Sequence, residues 1–179
     1  MQTNIVQVNK LDASGQRFGI IAAVYYEEIV NSMTVSAVKT FEEFHADVVD
    51  IWHVPGVFEI PIAAQQIALN YDYEALLTLG CVIRGETKHY DLITNTCSRG
   101  IMQAMLETGV PMTLGILAVD DIAHANERSK PGSKTNRGRE YAHATLRIAQ
   151  LISAIEKSDR EKVLGKGGIL RQSGFVDDE

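Results

Sequence analysis

Four near-continuous apolar runs alternate along this chain with segments whose apolar residues recur at helical spacing, and that alternation restricts the fold more than any other feature. Phe18-Gly19-Ile20-Ile21-Ala22-Ala23-Val24, Ala46 to Val54, Ala75 to Ile83 and Pro111 to Val119 read as strands. Between them, Glu27 to Phe44 sets Ile29, Val30, Met33, Val38, Phe41 and Phe44 near a 3.6-residue period. Ile60 to Leu69 reads as a second helix, and Lys88 to Thr108 carries Ile93, Cys97, Ile101 and Met105 at four-residue steps, one face of a third. A short helix over Asp121 to Arg128 and a basic loop over Ser129 to Arg139 follow. A last helix is expected to end near Lys157, with Ala142, Leu146, Ala149, Ile152 and Ile155 facing inward. Nearly uncharged strands separated by helices predict a parallel sheet covered on both faces. Right-handed crossovers then leave a three-layer α/β/α sandwich with four parallel strands. Ligands of such folds gather beyond the carboxyl ends of the strands, so the informative loops follow Val24, Val54, Ile83 and Val119.

The 179 residues fit one domain, expected over residues 1–157, with a polar, flexible tail over 158–179 containing Gly165-Lys166-Gly167-Gly168. Asn4-Ile5-Val6-Gln7-Val8 reads as a short extra strand ahead of the first core strand. A net charge of −6 without a long basic face argues against a nucleic-acid partner. No run approaches the roughly 18 apolar residues of a membrane span, and the N-terminus shows no secretory pattern. Cys81 and Cys97 cannot build a disulfide framework, which fits a reducing, cytoplasmic setting. Both read as small core residues.

The third strand runs into Arg84-Gly85-Glu86-Thr87-Lys88-His89-Tyr90-Asp91. Gly85 allows close backbone approach to a ligand, and Thr87 is suited to cap the following helix. A helix start presents free N–H groups and partial positive charge, a seat for phosphate. His89 beside it belongs to the residue type that titrates near pH ~6.5 and moves protons at neutral pH. Taken alone, the segment is better read as a capped helix with an exposed histidine, because caps are common. After the second strand, Pro55-Gly56-Val57-Phe58-Glu59 offers a ring and a carboxylate to a pocket. Phe58 closing the core and Glu59 at a helix start is the plainer reading. Tyr25 and Tyr26, after the first strand, are suited to stack on a planar ring or to pack in an interface. Arg128, Lys130, Lys134, Arg137 and Arg139 concentrate positive charge in an acidic chain, pointing to an anion or to a solvated run. Gly132-Ser133-Lys134-Thr135 lacks the spacing and the preceding strand of a P-loop. No metal-ligand spacing, nucleophile elbow or dinucleotide fingerprint occurs.

Taken together and in order, Val54-Pro55-Gly56-Val57-Phe58-Glu59-Ile60-Pro61 and Gly80-Cys81-Val82-Ile83-Arg84-Gly85-Glu86-Thr87-Lys88-His89-Tyr90-Asp91 closely resemble the lumazine synthase family. Glu107-Thr108-Gly109-Val110-Pro111 and Asn136-Arg137-Gly138 extend the likeness over roughly Arg17 to Ile155. The resemblance implies a flavodoxin-like sandwich that uses no cofactor or metal. It implies condensation of 5-amino-6-ribitylaminouracil with 3,4-dihydroxy-2-butanone 4-phosphate to dimethylribityllumazine, phosphate and water, the penultimate step of riboflavin synthesis. Carried over by position, Tyr25 stacks on the pyrimidine, Val57, Phe58 and Glu59 meet the ribityl chain, and Cys81, Val82 and Ile83 contact the uracil through main chain. Glu86, Thr87 and Arg128 bind the phosphate, and His89 transfers protons. Leu114, Arg128 and Arg137 come from a neighbouring subunit, because the family's pocket lies between subunits of a pentamer or of a multiple of pentamers. Riboflavin synthase is a candidate partner. Two departures stand out: Val24-Tyr25-Tyr26 replaces the family's usual Arg-Phe-Asn, and Leu114 replaces a common phenylalanine. They keep two further readings open: a flavin- or lumazine-binding paralogue with weak synthase activity, and a mainly structural shell protein.

Overall fold

In the computed structural model, which describes residues 11–165 and their side chains to residue 157, ten elements follow one another. They are β1 (Arg17–Ala23), α1 (Glu27–Glu43), β2 (Val48–Val54), a single 3-10 turn (Val57–Glu59), α2 (Ile60–Asn70), β3 (Ala75–Ile83), α3 (His89–Thr108), β4 (Met112–Val119), α4 (Ile122–Arg128) and α5 (Arg137–Gly165). The four strands are all parallel, in the order β2-β1-β3-β4. The two central strands, β1 and β3, are buried on both faces along nearly their whole length, whereas the edge strands β2 and β4 are only partly covered.

Alternation along the strands divides the core in two. Phe18, Ile20 and Ala22 of β1 join Leu77, Leu79 and Cys81 of β3 beneath α1 and α5. Ile21 and Ala23 of β1, with Leu76 of β3 and Met112 of β4, pack under α2 and α3, where Cys97, Ile101 and Ala104 form the buried stripe. The result is a three-layer, flavodoxin-like sandwich. Its strand order reverses between β1 and β3, and a crevice therefore opens beyond their carboxyl ends.

Three local expectations need correction. Thr87 does not occupy the cap position of α3, which falls on Lys88; its hydroxyl instead accepts from the His89 N–H at 3.4 Å. The basic loop stops at Asn136, whose Oδ1 accepts from the Gly138 N–H at 2.9 Å and so starts α5 at Arg137. Helix α5 runs to Gly165 rather than ending near Lys157. Ser158 to Leu164 contains no breaker, so the backbone continues helical after the apolar period has faded. That fading shows in the side chains: Ile152 is half-buried and Ile155 is exposed, not inward. The Asn4–Val8 strand and residues 166–179 of the expected tail lie outside the described residues.

Candidate active site

The crevice at the strand reversal is a cleft of about 580 Å³. Its floor is the end of β3, Cys81, Val82 and Ile83. One wall comes from Tyr25 and Tyr26 after β1, and another from Gly56, Val57, Phe58 and Glu59 after β2. The first turns of α3 contribute His89 and Ile93. Eight residues singled out from the sequence thus meet around one space: Tyr25, Val57, Phe58, Glu59, Cys81, Val82, Ile83 and His89.

Each wall has a local cause. Pro55-Gly56 ends β2, and the 3-10 turn throws Phe58 outward while Val57 anchors beneath it. Phe58 is 57% exposed, so the reading in which it closes the core is excluded. Glu59 is half-buried at the start of α2, and one carboxylate oxygen lies 3.0 Å from where a side chain on Gly56 would begin. Glycine there leaves room for the carboxylate beside the cleft. Tyr25 and Tyr26 meet edge to face, ring centroids 5.1 Å apart at 86°. Tyr26 takes left-handed backbone, φ 56° and ψ 50°, to turn the chain from β1 into α1. Burial, then Tyr25 and Cys81, raises the Tyr26 phenol above its ordinary value, so it remains a hydrogen-bond donor. Burial also pushes the Cys81 thiol up to about 11 and the Cys97 thiol to about 12. Neither is a thiolate at neutral pH, and a role as nucleophile is unsupported.

The remaining expected site residues stand apart from this cleft. Glu86 and Thr87 lie in the exposed turn between β3 and α3, next to His89 but not among the lining residues. Leu114 projects from β4 into a separate apolar groove of about 690 Å³ along α3, beside Met102, Met105 and Leu106. Arg128 ends α4, where its guanidinium donates to the His124 carbonyl at 3.2 Å. Arg137 opens α5 and pairs with Glu140. Among the described residues, no lysine or arginine lines the cleft. Of the other lining residues, Tyr26 and Gly56 belong to segments the sequence offers to a pocket, without an assigned role there, whereas Ile93 reads as an ordinary core position, which it partly is.

Among the described residues, no group of three histidine, cysteine or acidic side chains is placed to hold a metal ion. No helix among them is long and apolar enough to cross a membrane.

Comparison with known proteins agrees on one family. The family model described as 6,7-dimethyl-8-ribityllumazine synthase matches residues 15–153. The 6,7-dimethyl-8-ribityllumazine synthase of Thermococcus kodakarensis is 34% identical over 159 residues, 89% of this chain and all of that protein. The enzymes of the same name from Thermococcus onnurineus and Salinibacter ruber are 41% and 40% identical, over 79% and 82% of this chain and 91% and 94% of their own lengths.

Proposed function

The chain belongs to the 6,7-dimethyl-8-ribityllumazine synthase family, and from that membership we propose how its cleft performs the reaction. The protein is a transferase of riboflavin biosynthesis that joins 5-amino-6-ribitylaminouracil to 3,4-dihydroxy-2-butanone 4-phosphate. The observation that carries the site assignment is the convergence of aromatic, carboxylate, main-chain and imidazole groups at the strand reversal.

The substrates supply both nucleophile and electrophile. The pyrimidine's 5-amino group adds to the ketone, water leaves as the imine forms, phosphate is eliminated, and the ribityl-bearing nitrogen closes the ring with loss of a second water. The pyrimidine stacks on Tyr25 with its edge against the main chain of Cys81 to Ile83. The ribityl chain runs over Val57 and Phe58 toward the Glu59 carboxylate. His89 relays protons during dehydration and elimination. Holding two reactants in near-attack geometry supplies much of the acceleration, and a placed histidine adds roughly 10²–10⁴.

The phosphate lies at the turn of Glu86 and Thr87, against the start of α3, and its dianion needs a cation. Arg128 has the charge and the fork geometry for it. Because Leu114, Arg128 and Arg137 lie away from their own chain's cleft, each completes a neighbour's site in a pentamer or a multiple of pentamers. The exposed apolar groove of Met102, Leu106 and Leu114 supports burial against another copy. Obligate interfaces of this kind bury thousands of Å². The assembly works in the cytoplasm, with riboflavin synthase as its candidate partner. One domain carries the site, and its last helix reaches Gly165, past the boundary expected at residue 157.

Mixing both substrates with the purified chain and following product absorbance tests the activity. Lumazine formation above the uncatalysed background is the expected result. Binding of the pyrimidine without turnover would mark a carrier instead, and neither binding nor turnover a shell protein.

A further inference from the structure

We propose that Arg84 is a positioning residue that sets the start of α3, and with it His89 and the phosphate turn, against the end of β4. This rests on the site assignment above and names a residue that assignment does not use. Arg84 is the first residue beyond β3. Its N–H donates to the Val119 carbonyl at 2.9 Å, adding one rung beyond the β3–β4 ladder. Its side chain then reaches in two directions. Nε donates to Asp120 Oδ1 at 2.9 Å, in the corner after β4, and Nη1 to Asp91 Oδ1 at 3.4 Å, in the first turn of α3. The guanidinium also lies over the Tyr90 ring, 4.1 Å from its centroid.

One planar cation thus holds two consecutive residues of α3, Tyr90 and Asp91, to the strand end opposite. These follow His89 directly, so their placement sets the direction in which the imidazole enters the cleft. The bonds within the turn itself are local: Thr87 Oγ1 accepts from the His89 N–H, and the Lys88 carbonyl accepts from the Leu92 N–H at 3.2 Å. Arg84 therefore bridges over residues 85–88 and fixes both ends of the phosphate turn. Asp120 adjoins Asp121, which caps α4 by accepting from the His124 N–H at 2.9 Å, and α4 ends at Arg128. The same anchor therefore connects the helix of the proton-transfer residue to the helix whose Arg128 is proposed to complete a neighbour's site.

The ion pairs are solvent-exposed, and pairs of that kind add little to global stability. Their effect is on local geometry, to which bound-state reactivity is far more sensitive. Lysine cannot fork between two carboxylates while covering a ring, so Arg84→Lys should restore only part of the function.

The experiment measures steady-state kinetics, thermal melting and amide hydrogen exchange over residues 85–92 for wild type, Arg84→Ala, Arg84→Lys and Asp120→Asn. For Arg84→Ala we expect kcat/KM for the phosphorylated ketone to fall roughly tenfold to a hundredfold. KM for the pyrimidine should change less than about twofold and the melting temperature little, while exchange over residues 86–90 quickens. Arg84→Lys and Asp120→Asn should fall between alanine and wild type. Unchanged kinetics, or an equal rise in both KM values together with a lower melting temperature, overturns the proposal. Unaltered exchange overturns it too, independently of activity. Absence of lumazine formation by the wild type would instead overturn the site assignment, leaving the exchange result to decide the role of Arg84.

Discussion

At the scale of single residues, the two most informative side chains are His89 and Tyr26. In the proposed mechanism His89 assists a reaction whose nucleophile and electrophile are both substrates, so replacing it would remove a proton relay and leave proximity intact. His89→Ala should cost no more than roughly 10²–10⁴ in turnover, read in a product-absorbance assay, with a clear residue above background. A fall to the uncatalysed rate would contradict the proximity mechanism. Tyr26 holds a bulky ring in left-handed backbone, where a side chain other than glycine or asparagine costs about 1–2 kcal/mol. Asparagine, the family's usual residue, tolerates that conformation. Tyr26→Asn should therefore raise stability by about 1 kcal/mol in thermal or denaturant unfolding, and a loss would show that its contact with Tyr25 outweighs the strain. Such details were illegible in the sequence. Backbone hand at Tyr26 and the one-residue offset of the α3 cap from Thr87 depend on how the chain turns, not on residue type. The placement of the candidate residues was more legible: Tyr25 after β1, Phe58 and Glu59 in the turn after β2 and His89 at the start of α3 all lie beyond strand ends, where topology alone collects them.

At the scale of elements, strands were the most readable, since β3 is bounded by Ala75 and Ile83 as its unbroken apolar run predicts. Helix ends were less so. The start of α5 hid within a run of cations because a buried asparagine, Asn136, caps it from inside what composition marks as a loop. The packing of α5 on α1 depends on Gly138, where a side chain would begin 1.9 Å from the Met33 carbonyl oxygen. A backbone obstacle cannot rotate away as a flexible side chain does. Gly138→Ala should therefore destabilise by about 1–3 kcal/mol or more, measured by chemical denaturation, by forcing the two helices apart. A change within experimental error would contradict this packing.

At the scale of the whole molecule, stability should fall at both ends of the pH range. Burial, then Arg139 and Arg147 on its own helix, lowers the pKa of His143, opposed by Glu43 of α1; Phe44 meets its ring edge to face. A lowered value means that its stabilisation is complete above the unfolded value near ~6.5 and is lost as pH drops through the folded one. The buried thiols act in the opposite sense. Raised to about 11 and about 12, they stabilise fully below their unfolded values near ~8.5 and lose that contribution as pH climbs toward the folded ones. Melting temperatures recorded from about pH 5 to 11 should therefore form a dome, with the acid limb flattened by His143→Gln; a limb unchanged in that variant would exclude His143 as its source. Assembly is where sequence and single-chain structure reach least far, because Leu114, Arg128 and Arg137 find their proposed roles only against another copy. Arg128→Ala should raise KM for the phosphorylated ketone far more than for the pyrimidine, and an unchanged value would remove Arg128 from the phosphate site. The most direct measurement is a crystal structure with an unreactive analogue of the ribitylaminouracil. We expect its ring against Tyr25, its edge along the main chain of Cys81 to Ile83, its ribityl chain near Glu59, and Arg128 of an adjacent subunit reaching the mouth of the same cleft. An analogue bound elsewhere, or a cleft with no neighbouring subunit at its mouth, would contradict the shared site.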